Sequence, residues 1–296
     1  MRKKLLLVIN PISGRGMIKD YLMEIVSRFS QNGYEVTVYP TKKKGDATLK
    51  MAQANEFDFI VVSGGDGTLN EAVSGMVLYD GSATMGYLPA GTTNDFAATL
   101  NIPKQIDKAM DICLNGEAVS IDVGQFNDRY FIYVAAFGAF TDVAYETPQP
   151  RKNMLGGFAY LIEGLLKLPS IHPYKCKLTY PEGTIEGEFI FGMVSNSDSV
   201  AGIKNAFGTT ADLSDGLFEV ILIRNPRNIL DYPRILTDFL NTKYDPEYVM
   251  IFKTSQIQVE SFEEMKWTLD GEAGGFYQKT TISSLPQRVK VVMGGK

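Results

Sequence analysis

Apolar positions follow two rhythms along this chain, and the change from one to the other falls near residue 120. Before it, short and largely apolar runs at 5–9, 57–62 and 85–89 each stop at Asn, Ser, Gly or Pro, as strands buried on both faces of a parallel sheet do. Residues 34–39 add another strand. Between the first two, Ile18, Tyr21, Leu22, Ile25, Val26 and Phe29 keep helical spacing. Helices are also predicted at 46–54, after Thr68 and, briefly, after Asp95. Strands that alternate with helices in this way build βαβ units.

Beyond residue 120 strands dominate. Runs at 119–123 and 130–136 flank Asn127-Asp128 and predict a hairpin, and 175–180 with 185–194 flank Pro181-Glu182-Gly183 and predict a second. Further strands are predicted at 217–223, 251–259, 266–269 and 288–293, with helices near 158–168 and 229–240. The pattern is that of an antiparallel sandwich. It shows no internal repeat and no low-complexity linker.

The strand-to-helix transitions carry the chemistry. Gly64-Gly65-Asp66-Gly67-Thr68 follows the second apolar run and leads directly into a helix. Glycines there let the backbone approach an anion, and the helix N-terminus favours it. Thr68 followed by Glu71 predicts a capping box. An aspartate in such a turn repels phosphate unless a divalent cation lies between them, so the segment points to a nucleoside triphosphate with magnesium. Asn10-Pro11-Ile12-Ser13-Gly14 and Ala90-Gly91-Thr92-Thr93-Asn94-Asp95 follow the other runs and would meet it at the carboxyl edge of one sheet, where open α/β sheets bind ligands. No P-loop signature is present. Asn70 stands where a dinucleotide fingerprint needs its third glycine.

Asn10-Pro11-x-Ser13-Gly14, the segment from Gly64 to Glu71, Pro89-x-Gly91-Thr92-x-Asn94-Asp95 and Leu269-Asp270-Gly271-Glu272 resemble, in order, the motifs of the diacylglycerol kinase catalytic domain. That domain is shared by soluble bacterial diacylglycerol kinases, sphingosine kinases and ceramide kinases. The resemblance runs over nearly the whole chain. It implies an α/β N-terminal domain with a parallel sheet over 1–122, to which 285–296 return, and an antiparallel β-sandwich domain over 123–284. It implies an ATP-dependent lipid kinase that makes phosphatidate from diacylglycerol in phospholipid biosynthesis, with its active site in the cleft between the domains. Such an enzyme would be cytoplasmic and peripheral at the inner face of the plasma membrane.

By the same resemblance Asp66 is the carboxylate nearest the catalytic magnesium. Asn10, Pro11, Ile12, Ser13, Gly14, Thr41, Gly64, Gly65, Gly67, Thr68, Leu69, Asn70, Glu71, Thr92, Asn94 and Asp95 would line the ATP site. Thr41 equally suits an ST-turn or helix cap, and Asn94 and Asp95 suit an N-cap. Glu272 or Asp270 would be the general base, with Glu272 preferred, although Asp270-Gly271 also reads as a plain turn. Asp212, Asp215 and Leu217 resemble a loop that holds a structural magnesium, and otherwise form a polar turn. Phe137-Gly138-Ala139-Phe140 and the helix near 158–168 could line a path for acyl chains, although the latter also suits a buried helix. One departure stands out, because the family often carries an arginine shortly after the Asn-Asp pair and this chain has Ala98.

Composition narrows the alternatives. With 296 residues the chain can bury substantial cores. Cys113, Cys176 and the single His172 provide neither a disulfide framework nor a zinc site. A net charge of -5 argues against a nucleic-acid partner. Lys42-Lys43-Lys44 and Arg151-Lys152 are small basic clusters, either solvated surface or contacts to anionic lipid. Arg2-Lys3-Lys4 before the first run imitates a signal peptide, but the run is too short, and no segment has transmembrane length. Remaining alternatives are another lipid alcohol (a sphingoid base, phosphatidylglycerol or an undecaprenol-like acceptor), NAD as acceptor, and a nucleotide-binding protein without turnover. A homodimer is compatible with the sequence.

Overall fold

The computed structural model describes residues 2–92, 94–139, 172–197, 199–200, 203–204, 212–228, 231–232, 234–235, 238 and 244–295. The chain forms two compact units, Met1–Asp122 with Gln287–Lys296, and Val123–Pro286.

The first unit alternates strands and helices in the order β1 (Lys3–Ile9), α1 (Ile18–Gln31), β2 (Tyr34–Pro40), α2 (Asp46–Lys50), β3 (Phe59–Gly64), α3 (Asp66–Leu78), β4 (Thr84–Pro89), α4 (Asp95–Thr99) and α5 (Ile106–Asn115). The strands pair in parallel as β4-β3-β1-β2, with Ile9 opposite Ser63 and Ser63 opposite Leu88. Leu5 to Ile9 and every residue of β3 are buried, because helices cover both faces of a parallel sheet. From α1 the sheet receives Ile18, Ile25 and Phe29, the inner stripe of its helical spacing. The helix predicted at 46–54 is shorter, ending as α2 and continuing as a tighter 3-10 turn over Met51–Glu56. Val291 pairs in parallel with Met85, so the last strand of the chain joins the edge of β4.

The second unit is built from the end of β5 (Glu117–Phe126), β6 (Arg129–Phe131), β7 (Val134–Gly138), β8 (Tyr174–Tyr180), β9 (Gly183–Ser195), the short pair β10 (Ser199–Val200) and β11 (Ile203–Lys204), β12 (Phe218–Arg224), β13 (Val249–Thr254), β14 (Gln256–Leu269) and the greater part of β15 (Glu272–Met293). The main path runs β13-β12-β9-β7-β14-β15 and is antiparallel throughout. β7 and β8 lie end to end between β9 and β14, each pairing with both. Its core gathers Phe126, Phe131, Phe189, Phe218 and Trp267. Phe126 and Phe137 each stand edge-on to Trp267 with ring centroids 5.0 Å apart. Phe137 is thus a core residue, while Phe140, the 158–168 helix and Arg151-Lys152 lie outside the described residues.

One expectation changes here. The strand predicted at 130–136 is divided into β6 and β7, because the backbone N–H groups at the break are taken by a side chain, Asp270, rather than by a neighbouring strand. Of the helix predicted at 229–240, Asp231, Tyr232, Arg234, Ile235 and Asp238 are described, all in helical conformation. Both cysteines are free and buried, and burial pushes each thiol up to about 12, so neither is reactive.

Candidate active site

The carboxyl ends of β1, β3 and β4 bring their three loops into backbone contact. The Asn10 N–H donates to the Ser63 carbonyl, and the Ala90 N–H to the Gly64 carbonyl, both at 2.8 Å. Thr41 joins from the end of β2, donating its N–H to the Ile9 carbonyl at 2.8 Å. Contact this close requires glycine. A Cβ on Gly14, whose φ is +54°, would lie 2.1 Å from the Ala90 carbonyl oxygen, and one on Gly91 would lie 2.4 Å from the Cα of Gly65.

Side chains fasten the loops further. Asn10 Nδ2 donates to Thr68 Oγ1 at 3.1 Å, while its Oδ1 accepts the Ile12 N–H at 3.2 Å. Asn94, buried and left-handed at φ 53°, closes its own turn by pairing Oδ1 with the Gly91 N–H and Nδ2 with the Gly91 carbonyl. Its side chain therefore shapes the loop. The Tyr87 hydroxyl lies 3.0 Å from the Gly64 carbonyl and 3.2 Å from Asn94 Oδ1, tying the loop after β3 to the loop after β4. Burial first, then Asp66 and Asp95, raise its pKa, which keeps the phenol protonated as a donor. In sequence this tyrosine is just one apolar position of a strand.

The capping box does not form. α3 begins at Asp66 with Gly65 as its flanking residue, two positions before Thr68, so Thr68 lies inside the first turn and cannot act as the N-cap. Glu71 instead reaches across to accept the Gly45 N–H at 2.8 Å, and its carbonyl accepts the Thr48 hydroxyl. Glu71 thereby anchors the loop that carries Thr41 and Lys42 to Lys44, and Asp46 accepts the Lys42 and Lys43 N–H groups from within it. α3 has no side-chain cap, an arrangement that suits an anion at its N-terminus. Leu69 belongs to the core, Asn70 accepts the Ser74 hydroxyl, and Ile12 is 81% exposed.

Two carboxylates face each other across these loops. Asp66 accepts the Phe96 N–H at 3.3 Å and is further held by the N–H groups of Asp95 and Asn94, so it caps α4 from another loop. Burial nevertheless raises its pKa. Asp95 is pushed up to about 6, by burial first and then by Asp66, with Lys104 opposing. Lys104 also donates to the Thr92 carbonyl at 3.3 Å, so a lysine supplies positive charge beside this loop. Two oxygen donors, one of which raises the other's pKa, suit a hard divalent cation such as magnesium. The proton linkage has a defined sign. Asp95 binds its proton more tightly folded than unfolded, so this stabilising contribution is complete below about pH 4 and is lost as pH rises through about 6. Magnesium must compete with that proton. The rise in Tm on adding magnesium is therefore expected to be small at pH 5 and larger at pH 7.5 in thermal denaturation without nucleotide, and a rise independent of pH over that range contradicts the pairing.

In the second unit Asp270 and Gly271 form the turn between β14 and β15, and Glu272 opens β15 half-buried. Asp270 is buried with its carboxylate on three backbone N–H groups. The loop of Asp212, Asp215 and Leu217 is already closed on itself. Asp212 Oδ1 accepts the Ser214 N–H and hydroxyl, and Asp215 Oδ1 accepts the Leu217 N–H at 2.9 Å. Lys253 bridges Asp215 at 3.2 Å and the buried Glu219 at 3.0 Å. Burial raises the Glu219 pKa against the pull of that lysine. Positive charge is thus present at this loop as an ammonium. Among the described residues no three His, Cys, Asp or Glu side chains form a group that could hold a metal ion.

Comparison with known proteins places the chain among relatives of one kind. Residues 4–126 match the family described as the diacylglycerol kinase catalytic domain. The chain is 36% identical over 295 residues to a diacylglycerol kinase of Bacillus subtilis (strain 168), covering 98% of this chain and 96% of that protein. It is 35% identical over 278 residues to one of Staphylococcus carnosus (strain TM300), covering 93% and 90%. A solved structure of a diacylglycerol kinase-like protein from Bacillus anthracis str. Sterne superposes with a TM-score of 0.84 at 25% identity, covering 99% of this chain and 96% of that one.

Proposed function

The chain belongs to the diacylglycerol kinase family, and from that premise we propose that it transfers the γ-phosphate of ATP to the free hydroxyl of diacylglycerol, giving phosphatidate and ADP. The observation that carries this reading is the glycine-to-glycine contact of three loops beside a carboxylate pair. Backbone N–H groups at the start of α3 and in the Asn10 to Gly14 loop bind the phosphates. Asp66 and Asp95 would hold magnesium, which would supply neutralisation of the phosphate charge. Thr41, Thr68 and Thr92 contribute to the nucleotide site, and Tyr87 and Asn94 hold its loops in register.

Glu272 takes the proton of the acceptor hydroxyl, a weak nucleophile until a base within hydrogen-bond reach draws that proton away. Asp270, already occupied by three N–H groups, is unsuited to the same task. A structural magnesium at Asp212, Asp215 and Leu217 would have to share Asp215 with Lys253. Diacylglycerol resides in a bilayer, so the enzyme meets it at the membrane surface. Among the described residues no helix is long and apolar enough to cross a membrane, and Lys42, Lys43 and Lys44 are exposed on their anchored loop, where they can contact anionic lipid. The working compartment is then the cytoplasmic face, where ATP is supplied.

Acceptor identity is tested with ATP and magnesium against dispersed diacylglycerol, a sphingoid base, phosphatidylglycerol, undecaprenol and NAD in parallel. Fastest turnover on diacylglycerol is expected. Turnover on another acceptor alone overturns the substrate assignment while keeping the nucleotide site.

A further inference from the structure

The turn between β14 and β15 has only two residues, and both carry positive φ, 48° at Asp270 and 74° at Gly271. Positive φ at both central positions belongs to the type I′ hairpin, and Leu269 duly pairs with Glu272 across it. What is unusual is where the Asp270 side chain goes. It reaches the break between β6 and β7. Oδ2 accepts the Ile132 N–H at 2.8 Å, and Oδ1 accepts those of Tyr133 and Val134 at 3.0 Å each. Its own N–H donates to the Val134 carbonyl at 2.8 Å. On the other side of Glu272, Arg129 Nη1 donates to the carbonyls of Ala273 at 3.2 Å and Gly274 at 2.6 Å. There the ladder shifts register between Trp267 and Thr268, and a Cβ on Gly274 would lie 2.7 Å from the Trp267 carbonyl oxygen.

Glu272 thus sits between two anchors, one carboxylate and one guanidinium. We propose that Asp270, assisted by Arg129, is a positioning residue for Glu272 in phosphoryl transfer. The inference rests on Glu272 being the general base. A glutamate has three rotatable bonds, so a small tilt of its backbone becomes a large displacement at the carboxylate, and a base must lie within hydrogen-bond reach of the proton it takes. An ionised carboxylate suits the anchor because both oxygens accept, and charge-assisted hydrogen bonds are the stronger ones. Asparagine in its place keeps one acceptor and turns an N–H donor toward N–H donors.

A residue that merely stabilises the fold and one that acts through Glu272 differ in a double-mutant cycle. Asp270→Asn is expected to lower kcat by about 30-fold, the scale of a misplaced catalytic group, while KM for ATP stays unchanged. In the Glu272→Gln background the same substitution should change the residual rate by about twofold at most, since displacing a side chain that no longer accepts a proton costs nothing further. Equal losses in both backgrounds, or wild-type kcat in Asp270→Asn, overturn the positioning role and leave the base assignment standing. Wild-type turnover in Glu272→Gln overturns the base assignment and the positioning role with it. If Asp270→Asn does not fold, Arg129→Met goes through the same cycle, and additive losses there decide against the proposal.

Discussion

Glu272→Gln is expected to lower turnover by about a thousandfold and to leave ATP binding as it was. The amide matches the carboxylate in size, so the half-buried start of β15 keeps its packing while losing the atom that accepts a proton. The nucleotide loops belong to the first unit, and their hydrogen bonds run among Asn10, Thr68, Tyr87, Gly91 and Asn94, none of which involves residue 272. Calorimetric titration with ATP and steady-state label transfer separate the two effects. A rate within tenfold of wild type shows that proton removal is not the task of Glu272.

Gly91→Ala acts instead on binding. Its Cβ would lie 2.4 Å from the Cα of Gly65 and 2.7 Å from Asn94 Oδ1, and the first of these is backbone that cannot turn aside. One loop must move, which separates the segment after β3 from the segment after β4 and detaches Asn94 from its turn. ATP affinity is expected to fall by at least about 30-fold, with a loss of about 1–3 kcal/mol of stability, the usual cost of overpacking. Gly183→Ala is the control, because its Cβ meets only the Tyr180 hydroxyl, at 4.0 Å, and neither property should change. Gly91→Ala with wild-type ATP affinity means that the close approach of the loops does not build the nucleotide site.

The βαβ half was legible because parallel strands under two helix layers are apolar without interruption, and 5–9 and 57–62 are close to that. The three loops were legible as well, since close approach demands glycine and the glycines are visible. Local motifs were less secure. Thr68 and Glu71 have capping-box spacing, yet that spacing fits equally a helix starting at Asp66, and only the fold shows Glu71 reaching 26 positions back to Gly45. Tyr87 was hidden because a buried strand tyrosine looks like any other apolar residue until its hydroxyl finds Gly64 and Asn94. The break at Ile132 was hidden because its hydrogen-bond acceptor lies 138 positions away, at Asp270. Lys104 draws the Asp95 pKa down from a position that no motif marks.

The central claim is that ATP held by the loops of the first unit gives up its γ-phosphate to a lipid hydroxyl. Transfer of label from [γ-32P]ATP to diacylglycerol in mixed micelles, with and without magnesium, tests it most directly. The account predicts labelled phosphatidate that requires magnesium. Protein that binds ATP under the same conditions and forms no labelled phosphatidate contradicts it.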